Sequence, residues 1–199
     1  MVLMVKHLNL RSLDSISRIA SGASVGSADF VKPSSVDAVP FIRIGDLQEG
    51  TIVHSDLKYV KREIAYTLKA TVEPGAVLFS IKGTIGKVAV FPKSITLGIA
   101  ASQIAIIRPN QEIITPEYLS ISLSSAFAKK QFEPLIKGVV LRSLPISDLQ
   151  KLKIHVPRLS EQKKVVKKIR DLRRKAAQLE EKKRAIQSRI TEIIEGLSG

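Results

Sequence analysis

Gly83-Thr84-Ile85-Gly86-Lys87 invites comparison with a phosphate-binding loop. Such a loop cradles phosphates with backbone N–H groups, and needs another glycine where Ile81 stands and Ser or Thr where Val88 stands. The Gly-x-x-Gly pair also brushes a loop that clamps nucleotide backbones, but that loop joins two helices, whereas both flanks here read as strands. A hairpin turn is the better reading. The three histidines, His7, His54 and His155, are scattered and lack metal-ligand spacing. Glu161-Gln162-Lys163 mimics the end of a nuclease motif but opens a long helix. There is no dinucleotide fingerprint and no Ser/His/Asp set, so the expectation is no catalytic residue, no metal and no cofactor.

The charge is more informative. Lys and Arg number 32 against 18 Asp and Glu, a net of +14. Residues 1–157 carry 19 cations and 12 acids, and residues 158–199 carry 13 and 6, so each part has a surplus of 7. A balance this basic favours an anionic partner: nucleic acid, an acidic protein or a membrane surface. With no cysteine there are no disulfides or thiolate ligands, which fits a cytoplasmic protein. No apolar run approaches the roughly 20 residues needed to span a bilayer. The start MVLMVKHLNLRSL is too short and too soon charged for a signal peptide.

The most strongly patterned element is the stretch from Ser160 to Leu197. Val165, Ile169, Leu172, Ala176, Leu179, Lys183, Ile186, Ile190, Ile193 and Leu197 follow one another in alternating steps of four and three, the seam of a coiled coil. Only Lys183 among them is polar. Pro157 closes the preceding segment, Ser160 is placed to cap, and Glu161 puts negative charge in the first turn. About 36 residues at 1.5 Å each predict a rod of about 54 Å. In a parallel homodimer Lys183 would face its own copy. In an antiparallel pair whose rungs sum to 362, Val165 meets Leu197, Ile169 meets Ile193, Leu172 meets Ile190, Ala176 meets Ile186 and Leu179 meets Lys183. Antiparallel pairing is favoured, although the row Lys168, Lys175, Lys182 and Arg189 would line up against itself and suits a different partner.

Ahead of the rod, residues 1–157 predict a mixed α/β domain with non-local strand pairing, making the whole chain α+β. Asp14 to Ala20 reads as a short helix ending at Ser21-Gly22, and SGASVGSADFVKPSS reads as loop. VPFIRIGDLQEGTIV reads as two strands about a turn. Tyr59 to Ala70 reads as a helix with Val60, Ile64 and Leu68 on one face. Then come strands at AVLFSI, KVAVF and Ile104 to Ile107. A helix opens at Thr115-Pro116-Glu117 and runs to about Gln131, and LKIHV is a last strand.

Several of these segments together resemble the specificity subunits of type I restriction-modification systems. They are Pro40 to Leu47 (PFIRIGDL), Pro74 to Ser80 running into Lys82 to Lys87, Ala101-Ser102-Gln103, Gly138 to Leu144, and Ile154-His155-Val156-Pro157-Arg158-Leu159-Ser160-Glu161-Gln162 leading into the rod. The closing piece, an apolar strand, then P-x-L-x-E-Q and a coiled coil, is the most specific. The resemblance covers nearly the whole chain. It implies that residues 1–157 form a target-recognition domain reading one half of a split duplex DNA target. Residues 158–199 then form a helical spacer that fixes the unread gap and docks the methyltransferase subunits, with a restriction/translocase subunit as a further partner. Such subunits usually carry two recognition domains and two spacers. One of each here looks like a half-subunit or a fragment, and a half-subunit would work as a homodimer on an inverted repeat. The implied setting is the prokaryotic cytoplasm, in association with the nucleoid, with no membrane partner and no catalysis by the chain itself.

Within that reading, basic and amide side chains in loops are the expected DNA contacts, because Arg and Lys pair with guanine edges and Gln with adenine edges. Lys32, Arg43, Lys58, Arg62, Lys82, Thr84, Lys87, Gln103, Lys137 and Arg142 are the candidates, with Gly83 and Gly86 serving turn geometry. Two other classes compete. One is a stand-alone basic coiled-coil dimer that binds nucleic acid without enzymatic partners. The other is a scaffold whose basic rod gathers acidic proteins.

Overall fold

The computed structural model describes residues 9–48, 50–53 and 55–197. His7, Glu49 and His54 lie outside the described residues. The chain divides into two compact units, 1–162 and 163–199.

The first unit opens with β1 (Leu10–Ser12), a single 3-10 turn and β2 (Ser17–Ser21), followed by β3 (Phe30–Val31) and β4 (Ala38–Ile42). A small hairpin, β5 (Leu47–Gln48) and β6 (Thr51–Ile52), precedes β7 (Lys58–Lys61), α1 (Arg62–Thr67) and β8 (Thr71–Val72). Next come β9 (Val77–Ser80), β10 (Val88–Val90), β11 (Gly98–Ala100) and β12 (Ile104–Pro109). Two helices, α2 (Pro116–Leu123) and α3 (Ala126–Phe132), and the short α4 (Ile146–Leu149) lead to β13 (Lys153–His155). The last element, α5 (Leu159–Gly196), runs 38 residues, about 57 Å at 1.5 Å per residue.

Two sheets form the frame. One is antiparallel in the order β10-β9-β12-β2; the other, β3-β7-β4-β11-β8, has a single parallel pair between β4 and β11. They share one apolar core, to which the first contributes Leu78, Ala89, Ile104 and Ile106 and the second Ile42, Val60 and Ile99, with Phe91 fully buried among them. The four residues Ile104 to Ile107 are buried without alternation, as expected of a strand covered on both faces. α2 packs against β9 and β10, and its Leu119 and Leu123 are buried. Gly22, just after β2, lies against the backbone at the end of β11. A Cβ there would lie 2.1 Å from the Ala101 carbonyl oxygen, so only glycine fits.

Several local expectations change on folding. Asp14 to Ala20, expected as a helix, is instead mostly β2, because Ser17 to Ser21 pair antiparallel with Pro109 to Ala105. The expected helix from Tyr59 starts at Arg62: Tyr59 and Val60 belong to β7, a strand held between β3 and β4. The helix from Thr115 stops at Leu123 and restarts after Ser125, whose hydroxyl accepts the Ala128 N–H at 3.2 Å. The predicted hairpin of β9 and β10 forms with Val88 opposite Phe79. α5 begins at Leu159, one residue before the expected cap Ser160.

The two units meet between Gln162 and Lys163, five residues beyond Pro157, because the first turn of α5 is built into the body. Gln162 is fully buried. Its Oε1 accepts the Thr115 N–H at 2.9 Å, and its Nε2 donates to the Ile113 and Pro157 carbonyls at 2.9 and 2.8 Å. Sequence reading missed this residue as a structural anchor.

Candidate nucleic-acid interface

The parallel strands β4 and β11 end side by side, since the Ala101 N–H donates to the Ile42 carbonyl at 2.9 Å. β9 ends at the same place, where the Ile81 N–H donates to the Gln103 carbonyl at 2.8 Å. This common rim gathers most of the expected contact residues. Arg43 follows β4, Gln103 precedes β12, and Lys82, Thr84 and Lys87 occupy the β9–β10 turn.

That turn is closed from inside. The buried Ser80 hydroxyl donates to the Thr84 carbonyl at 2.6 Å and accepts the Lys87 N–H at 2.8 Å. Gly83 and Gly86 take positive φ of 67° and 92°, the geometric role expected of them. Lys87 points back, its Nζ 3.4 Å from the Ile44 carbonyl, while Lys82 and Thr84 remain exposed.

A second loop, residues 137–143, lies beside the turn. Lys137 and Ser143 exchange both backbone hydrogen bonds at 2.8 and 2.9 Å, a single β-bridge that closes the segment into a narrow ribbon-like loop. The ribbon is tied to the turn by Gly83 N–H donating to the Arg142 carbonyl at 3.1 Å and Leu144 N–H to the Ile81 carbonyl at 2.8 Å. Lys137 and Arg142 are therefore neighbours of Lys82.

Strand register carries the rim further. Phe41 pairs with Lys58, and Val31 with Tyr59, so Lys58 and Lys32 stand at the same end of their sheet as Arg43. Arg62 does not join them. It lies at the opposite end of β7, with its Nε 3.6 Å from Asp37.

The residues differ in how free their charge is. The Arg43 guanidinium donates to both Asp46 oxygens at 3.3 and 3.1 Å and to the Asp56 carbonyl and carboxylate at 2.6 and 3.3 Å. The hydrogen bond to Asp46 raises its pKa above the ordinary value, burial opposing and the two carboxylate charges adding. Its Nε and Nη2 donors are thus engaged within the fold. By contrast, among the described residues Lys32, Lys58, Lys82, Lys137 and Arg142 have no carboxylate within 4 Å. Arg43 and Gln103 line an open cleft of about 430 Å³ together with Ser24 and Ser102, whose hydroxyls are 3.1 Å apart. Neither serine was expected from the sequence. Free cations around an open polar cleft suit phosphate contacts at the edge and base-edge contacts within.

The α5 seam residues expected from the sequence all lie within the helix except Leu197, one residue past its end. Leu179 and Ile186 are 66 % and 61 % exposed, and Val165, Leu172, Ile190 and Ile193 are exposed with them. Lys183 lies 3.8 Å from Glu180 on the preceding turn. Among the described residues no group of His, Cys, Asp or Glu is arranged to hold a metal ion. None of the described helices is long and apolar enough to cross a membrane.

Comparison with known proteins gives one consistent result. A family model described as the type I restriction modification DNA specificity domain matches residues 8–188. The specificity subunit of the Escherichia coli type I restriction enzyme EcoBI is 28 % identical over 137 residues, covering 68 % of this chain and 29 % of that protein. The putative MjaX specificity subunit of Methanocaldococcus jannaschii is 26 % identical over 176 residues, covering 85 % of this chain and 38 % of that protein. Among solved structures, a chain of a type I R-M system superposes with a TM-score of 0.68 at 18 % identity, over 86 % of this chain and 39 % of that one. The HsdS subunit from Thermoanaerobacter tengcongensis gives 0.60 at 18 % identity, over 86 % and 38 %. The chain thus spans well under half the length of the relatives it matches.

Proposed function

The chain belongs to the type I restriction-modification DNA specificity family, and from that premise we propose that it reads one half of a bipartite DNA target. It pairs with a second copy through α5 in antiparallel register and directs methyltransferase and restriction subunits to the two half-sites.

The observation that carries this reading is the exposed seam of α5. An apolar stripe at three- and four-residue spacing along about ten turns is stable in water only when covered, and a second identical stripe fits it. Two-fold pairing gives the assembly two recognition rims, so the expected target is an inverted repeat with a fixed gap. The row Lys168, Lys175, Lys182 and Arg189 lies beside the seam and forms no ion pair within 4 Å among the described residues. It is assigned to a partner subunit or to phosphates next to the target. No catalytic step is assigned to the chain; the chemistry belongs to the partners, in the cytoplasm where the DNA is. The family match disfavours the competing reading of a stand-alone basic dimer.

The test is methylation of a random duplex library by the modification subunit of the same source, with and without this protein, read at base resolution. Adenine methylation at a gapped inverted repeat, only when the protein is present, is the expected result. Methylation that is indifferent to the protein overturns the reading.

A further inference from the structure

The rim carries one feature that the cations do not explain. Between Lys137 and Arg142, the ribbon tip presents Val139, Val140 and Leu141 at 95 %, 90 % and 86 % exposure. Three consecutive apolar side chains in water are costly, and most apolar residues of the body are buried. The tip is also a built conformation. Gly138 takes φ of 83°, and a Cβ there would meet the Leu141 carbonyl oxygen at 2.5 Å. The paired backbone bonds of Lys137 and Ser143, and the ties from Gly83 and Leu144, fix the stem.

The surroundings define the partner. Lys137 and Arg142 flank the tip, and Lys82 and Thr84 sit on the adjoining turn. Residues 74–111 and 134–147 contain no Asp or Glu. An apolar tip flanked by cations matches a polyanion that also offers apolar surface, and duplex DNA does so through its thymine methyl groups. The major groove, roughly 12 Å wide, admits elements as broad as an α-helix or a two-stranded β-ribbon, so a loop closed by one β-bridge has room to enter. The two valines are too short to wedge open a base step, and leucine wedges enter from the minor groove; in the major groove all three side chains offer apolar contact to a methyl group on a base edge.

Resting on the DNA-recognition reading above, the geometry points to the 137–143 ribbon as an apolar reader. It enters the major groove, Val139, Val140 and Leu141 contact thymine C5-methyl groups, and Lys137, Arg142 and Lys82 hold the adjacent phosphates. The half-site read by this protein therefore contains at least one T·A pair recognised through its methyl group.

The experiment selects tight-binding duplexes from a random library with the full chain, then compares the winners made with thymine or with uracil, which lacks the methyl. The expected result is about fourfold weaker binding for each contacted methyl removed, at about 0.8 kcal/mol per buried methyl-sized group. The V139S/V140S/L141S variant loses that discrimination while keeping the salt dependence, since no cation is removed. K137A/R142A does the opposite: it keeps the thymine preference and lowers the slope of log affinity against log salt by about 1.8. Equal binding of thymine and uracil duplexes by the unaltered chain overturns the proposal and leaves the DNA-recognition reading standing. So does retained discrimination in the triple variant, including the case in which that variant loses only capture of the modification subunit. Failure of the unaltered chain to enrich any duplex overturns both.

Discussion

Gln162 in the first turn of α5 and Thr115 at the head of α2, 47 residues apart, are joined by a 2.9 Å hydrogen bond from the Thr115 N–H to the Gln162 side-chain oxygen. Thr115 is itself the cap of α2, accepting the Tyr118 N–H at 3.3 Å. Because the Gln162 amide also donates to two carbonyls, one buried side chain satisfies three backbone groups at once.

Gln162→Ala therefore strands those three groups and lowers the stability of the body by about 3 kcal/mol, measured by urea unfolding. Gln162→Glu sets a carboxylate oxygen against the Ile113 and Pro157 carbonyls in place of the donor. A raised carboxyl pKa follows, and protonation restores one donor. Its stability deficit relative to the parent accordingly narrows as pH falls through that raised pKa. A deficit that stays constant from neutral to acid pH contradicts this account.

Gly22→Ala and Gly45→Ala separate a steric glycine from an incidental one. At Gly22 the new Cβ meets backbone of Ala100 and Ala101, which cannot move without parting the sheets, so the expected loss is roughly 3 kcal/mol or more. At Gly45 nothing lies within 4 Å and φ is not positive, so the substitution is neutral or stabilises by about 0.5 kcal/mol. Thermal melts of the two variants decide the matter.

Arg43 and Lys82 share the rim but differ in consequence. Arg43→Ala removes the partner of Asp46, whose side chain is only 8 % exposed. The expected destabilisation is about 1 to 2 kcal/mol, less than for a fully buried pair because the guanidinium is 35 % exposed. Lys82→Ala leaves the melting temperature unchanged and reduces the salt slope of DNA binding by about 0.9. An Arg43→Ala protein as stable as the parent would return that residue to the class of free contacts.

The absence of cysteine makes the α5 pairing easy to test. In the antiparallel register, chains carrying Leu172→Cys cross-link to chains carrying Ile190→Cys, and neither variant cross-links to itself. Parallel pairing gives the reverse pattern, and no cross-link in any mixture removes the seam as a dimer contact.

Asp171 supplies a pH dependence. The hydrogen bond from Lys167 at 3.2 Å, against the opposing effect of desolvation and with help from the hydrogen bond of Arg174 at 2.7 Å, holds its pKa below the ordinary 3.8. A depressed folded-state pKa stabilises above the unfolded value and ceases to do so as pH falls through the folded one. Helix content followed by circular dichroism declines in acid below about pH 4, and Asp171→Asn lacks that component.

The pattern of what was legible in the sequence follows the range of the interactions. The β9–β10 hairpin, the start at Thr115 and the length of α5 are set by local turn chemistry, capping and periodicity, and all were readable. β2 was not, because its identity depends on pairing with residues more than 80 positions away, while the spacing of Asp14 to Ala20 alone also suits a helix. Val60, Ile64 and Leu68 suit a helix face equally well, yet Val60 is claimed by strands on both sides. At the site, the types of the cations were visible but not their pairing. Nothing in the order of residues distinguishes Arg43, engaged by Asp46 and Asp56, from Lys82, engaged by neither. The apolar tip was hidden for a different reason: Val-Val-Leu in a sequence reads as buried, and only the loop's projection leaves it bare.

The pairing of β1 with β13, Leu10 opposite His155, has a consequence for how the chain is made. A ribosome adds about 5–20 residues per second, so β1 emerges on the order of ten seconds before its partner strand exists. β2 waits about three-fifths as long for β12, and each strand presents open hydrogen-bonding edges until its partner emerges. Synthesis of this protein is thus expected to proceed with its first two strands shielded by a chaperone, and to yield aggregates at high expression rates when none is free.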